Sequence, residues 1–162
     1  MKRAIALAGM IASSGCYGLH LPLNTPFTDN NGREIIVKDN PLLTPKASST
    51  LHEGRYYINY NPAYMRMKVH PDAQKFIFFH ELGHIRLEHH GAYIYDKKQA
   101  EKDADCYSGE MLRDVYHYTP RQFKNIYEHI EVDFRDSDRA EAMKRCVIGQ
   151  TSSFPDFVSK PL

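Results

Sequence analysis

The sequence predicts an α+β domain that is mainly helical, with a small sheet towards its N-terminal end. Alternating strand patterns come first along the chain, and helical segments with capping residues follow them. Strands that precede a run of helices are typical of α+β domains, because parallel α/β folds alternate the two elements. A length of 162 residues with 42% hydrophobic residues suffices for one domain with its own core.

Two stretches carry strand patterns. Residues 33–38 contain the run Ile-Ile-Val after an Asn-Asn-Gly turn signal, and they are the one strand candidate in residues 17–54. Residues 55–60 alternate as Tyr-x-Ile-x-Tyr. Asn61-Pro62 ends this second pattern, because proline cannot donate to a strand ladder.

The remainder of the chain predicts helices from their capping residues. Pro71 is a favoured first helical residue, and Gly91 is a favoured stop. A Ser, Thr or Asp stands at the start of each later helix, where its side chain can cap free backbone N–H groups. The predicted helices cover residues 71–90, 96–115, 119–132 and 137–149, and the tail from residue 151 is expected to be irregular.

The first residues have the order of a secretory signal peptide. Lys2 and Arg3 precede an apolar run at residues 4–12, and small residues follow it. The run is too short to remain as a membrane-spanning helix. We therefore expect residues 1–15 to be removed and residues 17–162 to form a single domain that reaches the periplasm, the cell envelope or the exterior.

Cys16 raises the question of a lipid anchor. The sequence Ser-Ser-Gly-Cys that ends at this residue resembles a bacterial lipobox, in which the cysteine is lipidated and becomes the first residue. That pattern normally has Leu, Val or Ile at the position of Ser13, so ordinary cleavage after Ser14 or Gly15 is the alternative. A lipid at Cys16 is the one membrane contact that we expect.

Charge and cysteines bear on partners and on stability. The formal net charge of +1 gives no indication of nucleic acid or of an anionic membrane surface as a partner. Cys106 and Cys146 could pair in an oxidising compartment, closing a loop of about 40 residues. Two unpaired, buried thiols are the alternative.

The chemically informative segment is His80-Glu81-Leu82-Gly83-His84, which has the pattern H-E-x-x-H. On a helix, residues i and i+4 share a face, so both imidazoles point to one spot, as a tetrahedral zinc requires of two nitrogen ligands. Glu81 lies beside them and is expected to be the general base for a water on the metal.

A peptidase zinc needs a third protein ligand, and Glu101 is the first candidate. Glu101 and Asp105 share a helix face, so Glu101 could bind the metal while Asp105 hydrogen-bonds a ligand histidine. A stripe of small residues beside them would let this helix approach the motif helix closely; it consists of Ala100, Ala104 and Ser108.

Two other third ligands stay open. His90 has the place of the last histidine in the metzincin pattern, but Leu87 stands where that pattern has the glycine that turns the chain. We therefore expect the helix to continue past Leu87 and His90 to point away from the metal. The last possibility is Asp105 or Asp103 as a direct ligand.

The two motifs together, H-E-L-G-H at 80–84 and E-x-x-A-D at 101–105, resemble those of the gluzincin metallopeptidases. The likeness is greatest to the short branch related to prenyl-protein and heat-shock membrane proteases, and it covers about residues 55–115. It implies a zincin-like fold in a soluble or lipid-anchored member. It also implies zinc ligation by His80, His84 and Glu101, catalysis by Glu81, and a supporting hydrogen bond that a ligand histidine donates to Asp105.

The resemblance further implies that a strand before the motif helix holds an extended substrate, a place taken here by residues 56–60. The alternative is a simple core strand. Amide hydrolysis also needs a donor for the oxyanion. The sequence does not choose among Tyr93, Tyr95, Tyr107, Tyr116, His117, Tyr118 and Arg139. His89 and His90 are expected to be solvated at the helix end.

These features predict an exported zinc metalloendopeptidase acting on peptide or protein substrates. The rival is a non-catalytic zinc-binding scaffold or adaptor of the cell envelope, in which the metal would stabilise the fold. A site with four protein ligands would favour the scaffold, whereas Glu81 beside the metal favours the enzyme. A self-processing or toxin-like protease is a third possibility, and the oligomeric state is left open.

Overall fold

The computed structural model of the protein describes residues 26–43, 47–91, 96–134 and 137–148. The signal peptide at residues 1–15, Cys16 and the tail from residue 151 lie outside the described residues. Export and lipid attachment therefore stay predictions. In the part of the chain that is described, no helix has the length and apolar character needed to cross a membrane.

The described residues form an α+β fold that is mainly helical, which confirms the predicted class. Its small sheet precedes the long helices along the chain. The strands are β1 (Ile36–Asp39), β2 (Ala47–His52) and β3 (Arg55–Tyr60). The helices are α1 (Pro62–Lys68), α2 (Pro71–Arg86), α3 (Lys97–Asp114), α4 (Pro120–Phe134) and α5 (Ser137–Val147).

β3 lies in the centre of the sheet, between β1 and β2. β1 runs parallel to it and β2 antiparallel, with Ser49 opposite Ile58. Ile58 is fully buried. The prediction that residues 56–60 form a substrate-binding edge strand is therefore wrong, and the alternative of a core strand is confirmed. The strand that packs against α2 at the edge of the described sheet is β2.

The sequence pattern misses β2 because Ala-Ser-Ser-Thr-Leu-His has no alternation of large apolar residues. These residues form a strand because their backbone pairs with β3. The two form a hairpin whose turn residues, Glu53 and Gly54, both have positive φ angles of 48° and 73°. That backbone is a type I′ turn, which matches the twist of paired strands.

The pattern also misses the short helix α1. Asn61-Pro62 ends β3 as predicted, but the same two residues start a helix. The Tyr64 N–H donates to Asn61 Oδ1 at 3.0 Å, and Pro62 takes the first helical position. A strand stop and a helix start thus share one dipeptide.

α2 ends at Arg86, one turn earlier than predicted. Glu88 has a φ of 60°, and its N–H donates to the Ile85 carbonyl at 3.1 Å. The His89 N–H donates to the His84 carbonyl at 2.9 Å. These two bonds make a Schellman motif, which turns the chain back over the helix end.

A distant turn explains where α2 stops. Gly32 has a φ of 76°, as the turn signal before β1 predicts. Within that turn, Asn30 Nδ2 donates to the Arg86 carbonyl at 2.9 Å and to Glu88 Oε1 at 3.2 Å. The helix end is therefore capped by a side chain far away in sequence, which the pattern of α2 alone does not reveal.

α2 packs mainly against α3, through the predicted face of small residues. Ser108 Oγ donates to the Phe76 carbonyl at 2.8 Å. A Cβ added at Gly83 would lie 3.2 Å from both the Ala104 Cα and the Tyr107 ring. The two helix backbones therefore approach closely at Gly83, as the small-residue face predicts.

Gly83→Val is expected to lower the free energy of unfolding by about 1–3 kcal/mol, because the added side chain overpacks a contact between two backbones. Denaturant unfolding measures this change. Gly91→Val is the control, because among the described residues a Cβ there meets only the Glu88 carbonyl, at 3.8 Å. Equal destabilisation by both substitutions would contradict the close approach at Gly83.

Cys106 and Cys146 form a disulfide that joins α3 to α5, with their Cα atoms 5.5 Å apart. Pairing is therefore confirmed over free thiols. A cross-link between residues 40 positions apart stabilises a fold by about 2–4 kcal/mol, largely by constraining the unfolded chain. It holds together the two helices that carry Glu101 and Arg139.

Candidate metal centre

Three side chains from two helices converge on one point. His80 and His84 lie one turn apart on α2, and Glu101 lies on α3. His80 Nε2 is 3.0 Å from His84 Nε2 and 3.4 Å from Glu101 Oε2. His84 Nε2 is 3.5 Å from Glu101 Oε1. This group could hold a metal ion.

The separations suit a tetrahedral ion. Ligand atoms about 2.0–2.2 Å from a tetrahedral zinc lie roughly 3.3–3.6 Å from one another. The two imidazole nitrogens are 3.0 Å apart, slightly closer than this range, while one oxygen of Glu101 lies 3.4 Å from His80 Nε2 and its other oxygen lies 3.5 Å from His84 Nε2. The other third ligands considered from the sequence, which are His90, Asp103 and Asp105, lie outside the group.

Asp105 and Arg139 form a buried ion pair behind the ligands. Asp105 on α3 is 0% exposed, and its Oδ1 lies 2.8 Å from His80 Nδ1. Arg139 on α5 donates to the Asp105 carboxylate from Nε at 2.7 Å and from Nη2 at 2.9 Å. Its Nη1 lies 3.1 Å from Glu101 Oε2. Arg139 therefore contacts one candidate ligand directly and supports another through Asp105.

The sequence suggests Arg139 only as a donor to an oxyanion, and misses this supporting position. The Asp105 carboxylate lies between the His80 ring and the Arg139 guanidinium, so one buried acid links a candidate ligand to α5. The sequence carries no clear signal for this position, because α5 holds several charged residues and the neighbouring Asp138 and Glu141 are exposed.

Acidic neighbours set the protonation of the ligands in the metal-free protein. Burial alone would lower the pKa of His80, but hydrogen bonds to Asp105 and Glu101, together with the negative charges of Asp105 and Glu81, raise this pKa to about 10. Hydrogen bonds from His80 and His84 hold the pKa of Glu101 well below its usual range, although burial opposes this. A metal ion that entered this group would therefore have to displace a proton from His80.

Glu81 lies beside the three ligands but outside their group. Its side chain is 9% exposed, and Ser49 Oγ on β2 donates to Glu81 Oε2 at 2.8 Å. Glu81 also lines the same cavity as the ligands. The structure thus places the predicted base next to the candidate ligand group and adds Ser49, which sequence reasoning misses because β2 carries no strand pattern.

The turn after α2 brings two more histidines to the site. His89 Nδ1 lies 2.9 Å from His84 Nδ1, and the ring centroid of His90 lies 6.5 Å from that of His84. Both residues line the cavity, and burial lowers the pKa of each. Because α2 ends before both residues, they are half-buried at the cavity and not fully solvated as predicted, while His90 lies outside the ligand group, as expected.

The candidate oxyanion donors fall into three sets. Arg139 lines the cavity, but it is bonded to Asp105 and Glu101. Tyr93 and Tyr95 lie outside the described residues. The remaining candidates are described and do not line the cavity; they are Tyr107, Tyr116, His117 and Tyr118.

The site opens onto a cavity of about 650 Å³. β2 contributes Ser48 and Ser49 to its wall, and apolar side chains such as Leu43, Phe76 and Ile77 line another part. A concave space of this size with a few convergent polar groups is typical of sites that take a ligand or a segment of substrate.

No family model, curated protein or solved structure matches this chain. The likeness to gluzincins thus rests on the H-E-x-x-H and E-x-x-A-D motifs. The candidate metal centre rests on the positions of the chain's own side chains.

Proposed function

We propose that the protein is a zinc-dependent endopeptidase that hydrolyses peptide bonds in peptide or protein substrates. The observation that carries this proposal is the position of Glu81. It lies beside a group of three candidate metal ligands, outside that group, and on the wall of the same cavity. A carboxylate in this place suits a general base, whereas a site that only holds an ion needs none.

Zinc is the metal that the donor set favours. Magnesium and calcium take oxygen ligands, so the imidazoles of His80 and His84 disfavour both. Two imidazoles and one carboxylate form a common catalytic zinc set, which keeps the fourth position free. Among the described residues the group offers three ligands, as a catalytic site requires.

Each residue of the site would have a separate role in the reaction. When bound, zinc polarises a carbonyl and lowers the pKa of a water towards about 7. Glu81 would take the proton of the attacking water and pass it to the leaving nitrogen. Ser49 fixes the orientation of the Glu81 carboxylate through its hydrogen bond to Oε2.

β2 is the best-placed element to bind the substrate. Within the described sheet it pairs with β3 along one side only, and it lines the cavity with Ser48 and Ser49. An extended peptide can add to such an edge through main-chain hydrogen bonds. β2 would thus take the role that the resemblance implies for a strand before the motif helix.

A non-catalytic zinc scaffold is the second candidate. It would explain the buried pair of Asp105 and Arg139, since metal binding and folding are coupled. Structural zinc sites are usually closed by four protein ligands, however, and the described group has three. Glu81 on the cavity wall also has no part in a purely structural site.

Metal content and cleavage of an unfolded protein test the proposal together. We expect the purified protein to hold one zinc per chain and to cleave casein. A chelator should abolish the cleavage, and added zinc should restore it, because the ligands stay in place on two packed helices. Zinc binding without cleavage of casein or of a mixed peptide library would favour the scaffold, and a lack of zinc binding would contradict both candidates.

A further inference from the structure

The two ring nitrogens of His84 lie in different surroundings. Nε2 faces the other candidate ligands, 3.0 Å from His80 Nε2 and 3.5 Å from Glu101 Oε1. Nδ1 lies on the far side of the ring, 2.9 Å from His89 Nδ1. If Nε2 binds a metal, the ring proton must be on Nδ1, and this N–H needs an acceptor. Among the described residues, His89 Nδ1 lies at hydrogen-bond distance and can be this acceptor.

The backbone holds His89 in this place. The His89 N–H donates to the His84 carbonyl at 2.9 Å, as part of the Schellman motif in which Glu88 has a φ of 60°. The same two residues thus meet through their backbones and through their rings. The end of α2 therefore sets the position of a side chain against a candidate metal ligand.

We propose that His89 is a positioning residue for the metal centre, which accepts the Nδ1 proton of His84 and so fixes the tautomer and the ring orientation of that ligand. This inference rests on the proposed zinc site. The hydrogen bond requires a neutral His89 with its own proton on Nε2. The two histidine ligands would then be held differently, His80 by the carboxylate of Asp105 and His84 by an imidazole.

The test compares zinc affinities of full-length variants by competition with a chromophoric chelator. His89→Leu removes the acceptor and is expected to weaken zinc binding by about 10–100-fold. His89→Asn places an amide oxygen near the position of Nδ1 and is expected to restore most of the affinity. His89→Gln carries its amide one bond further and is expected to resemble His89→Leu. His52→Leu, at a side chain that is 72% exposed, is the control.

Two results would overturn the inference. The first is wild-type zinc affinity in both His89→Leu and His89→Gln. The second is equal loss in His89→Asn, which would show that the ring packs against His84 without acting through Nδ1. Unfolding of the metal-free variants by denaturant reports any general loss of structure, and His89→Gln replaces His89→Leu if the leucine variant does not fold. If the wild-type protein binds no zinc, the proposed function fails together with this inference. If the wild type binds zinc and the His89 variants give one of the two results above, only the inference about His89 fails.

Discussion

Glu81→Gln is expected to keep its zinc and to lose about 10²–10⁴-fold in kcat for peptide hydrolysis. Glutamine has nearly the same shape as glutamate and can still accept the hydrogen bond that Ser49 Oγ donates at 2.8 Å. Its amide is too weak a base to take a proton from water. Because Glu81 lies outside the group of candidate ligands, zinc affinity should stay close to that of the wild type.

The measurement is kcat on a quenched fluorescent peptide or on casein, with the zinc content determined on the same sample. Glu128→Gln is the matched control, because Glu128 lies on α4 with 58% of its side chain exposed. Full activity in Glu81→Gln would remove Glu81 from the reaction. Loss of zinc would instead make Glu81 a ligand and would contradict the division of roles proposed for the site.

The ligand group can be predicted from the sequence because it depends on helical spacing. His80 and His84 are one turn apart on α2, and Glu101 and Asp105 are one turn apart on α3. A periodicity of 3.6 residues is enough to place each pair on one face. The small residues on α3 also indicate close packing, which brings the two pairs together.

The residues that support the group cannot be predicted in this way. Ser49 lies on a strand whose sequence has no apolar alternation, so only its pairing with β3 reveals it. His89 reaches His84 because Asn30, far away in sequence, helps to end α2. Arg139 comes from α5 to meet Asp105. Each position depends on a contact between distant segments, about which local patterns carry no information.

The strand before the motif helix shows the same limit. Alternating residues predict β3 with the bounds that the structure has. The alternation does not indicate which strands pair with β3, however. β2, which the sequence pattern misses, pairs along one side of β3, so β3 is the central strand and not an edge strand. The substrate-binding role proposed here for β2 thus belongs to a strand that the sequence pattern does not show.

Arg139→Leu is expected to lower the free energy of unfolding of the metal-free protein by roughly 3 kcal/mol, because it leaves the Asp105 carboxylate buried with His80 as its remaining partner. Zinc affinity should also fall, by about 10–100-fold, since Arg139 contacts Glu101 and supports His80 through Asp105. The two effects have one cause, which is the loss of the guanidinium.

The substitution Arg139→Lys tests whether the positive charge at this position is enough or whether the hydrogen-bond geometry of the guanidinium is also needed. Lysine keeps the positive charge but cannot donate two parallel hydrogen bonds to Asp105 while it also reaches Glu101. We expect intermediate stability and intermediate zinc affinity, measured by denaturant unfolding with a chelator present and by chelator competition. Arg121→Leu, at an exposed arginine near the start of α4, is the control. If Arg139→Leu left both quantities unchanged, the ion pair would not hold the ligands, and their placement would have to come from the packing of α2 against α3 alone.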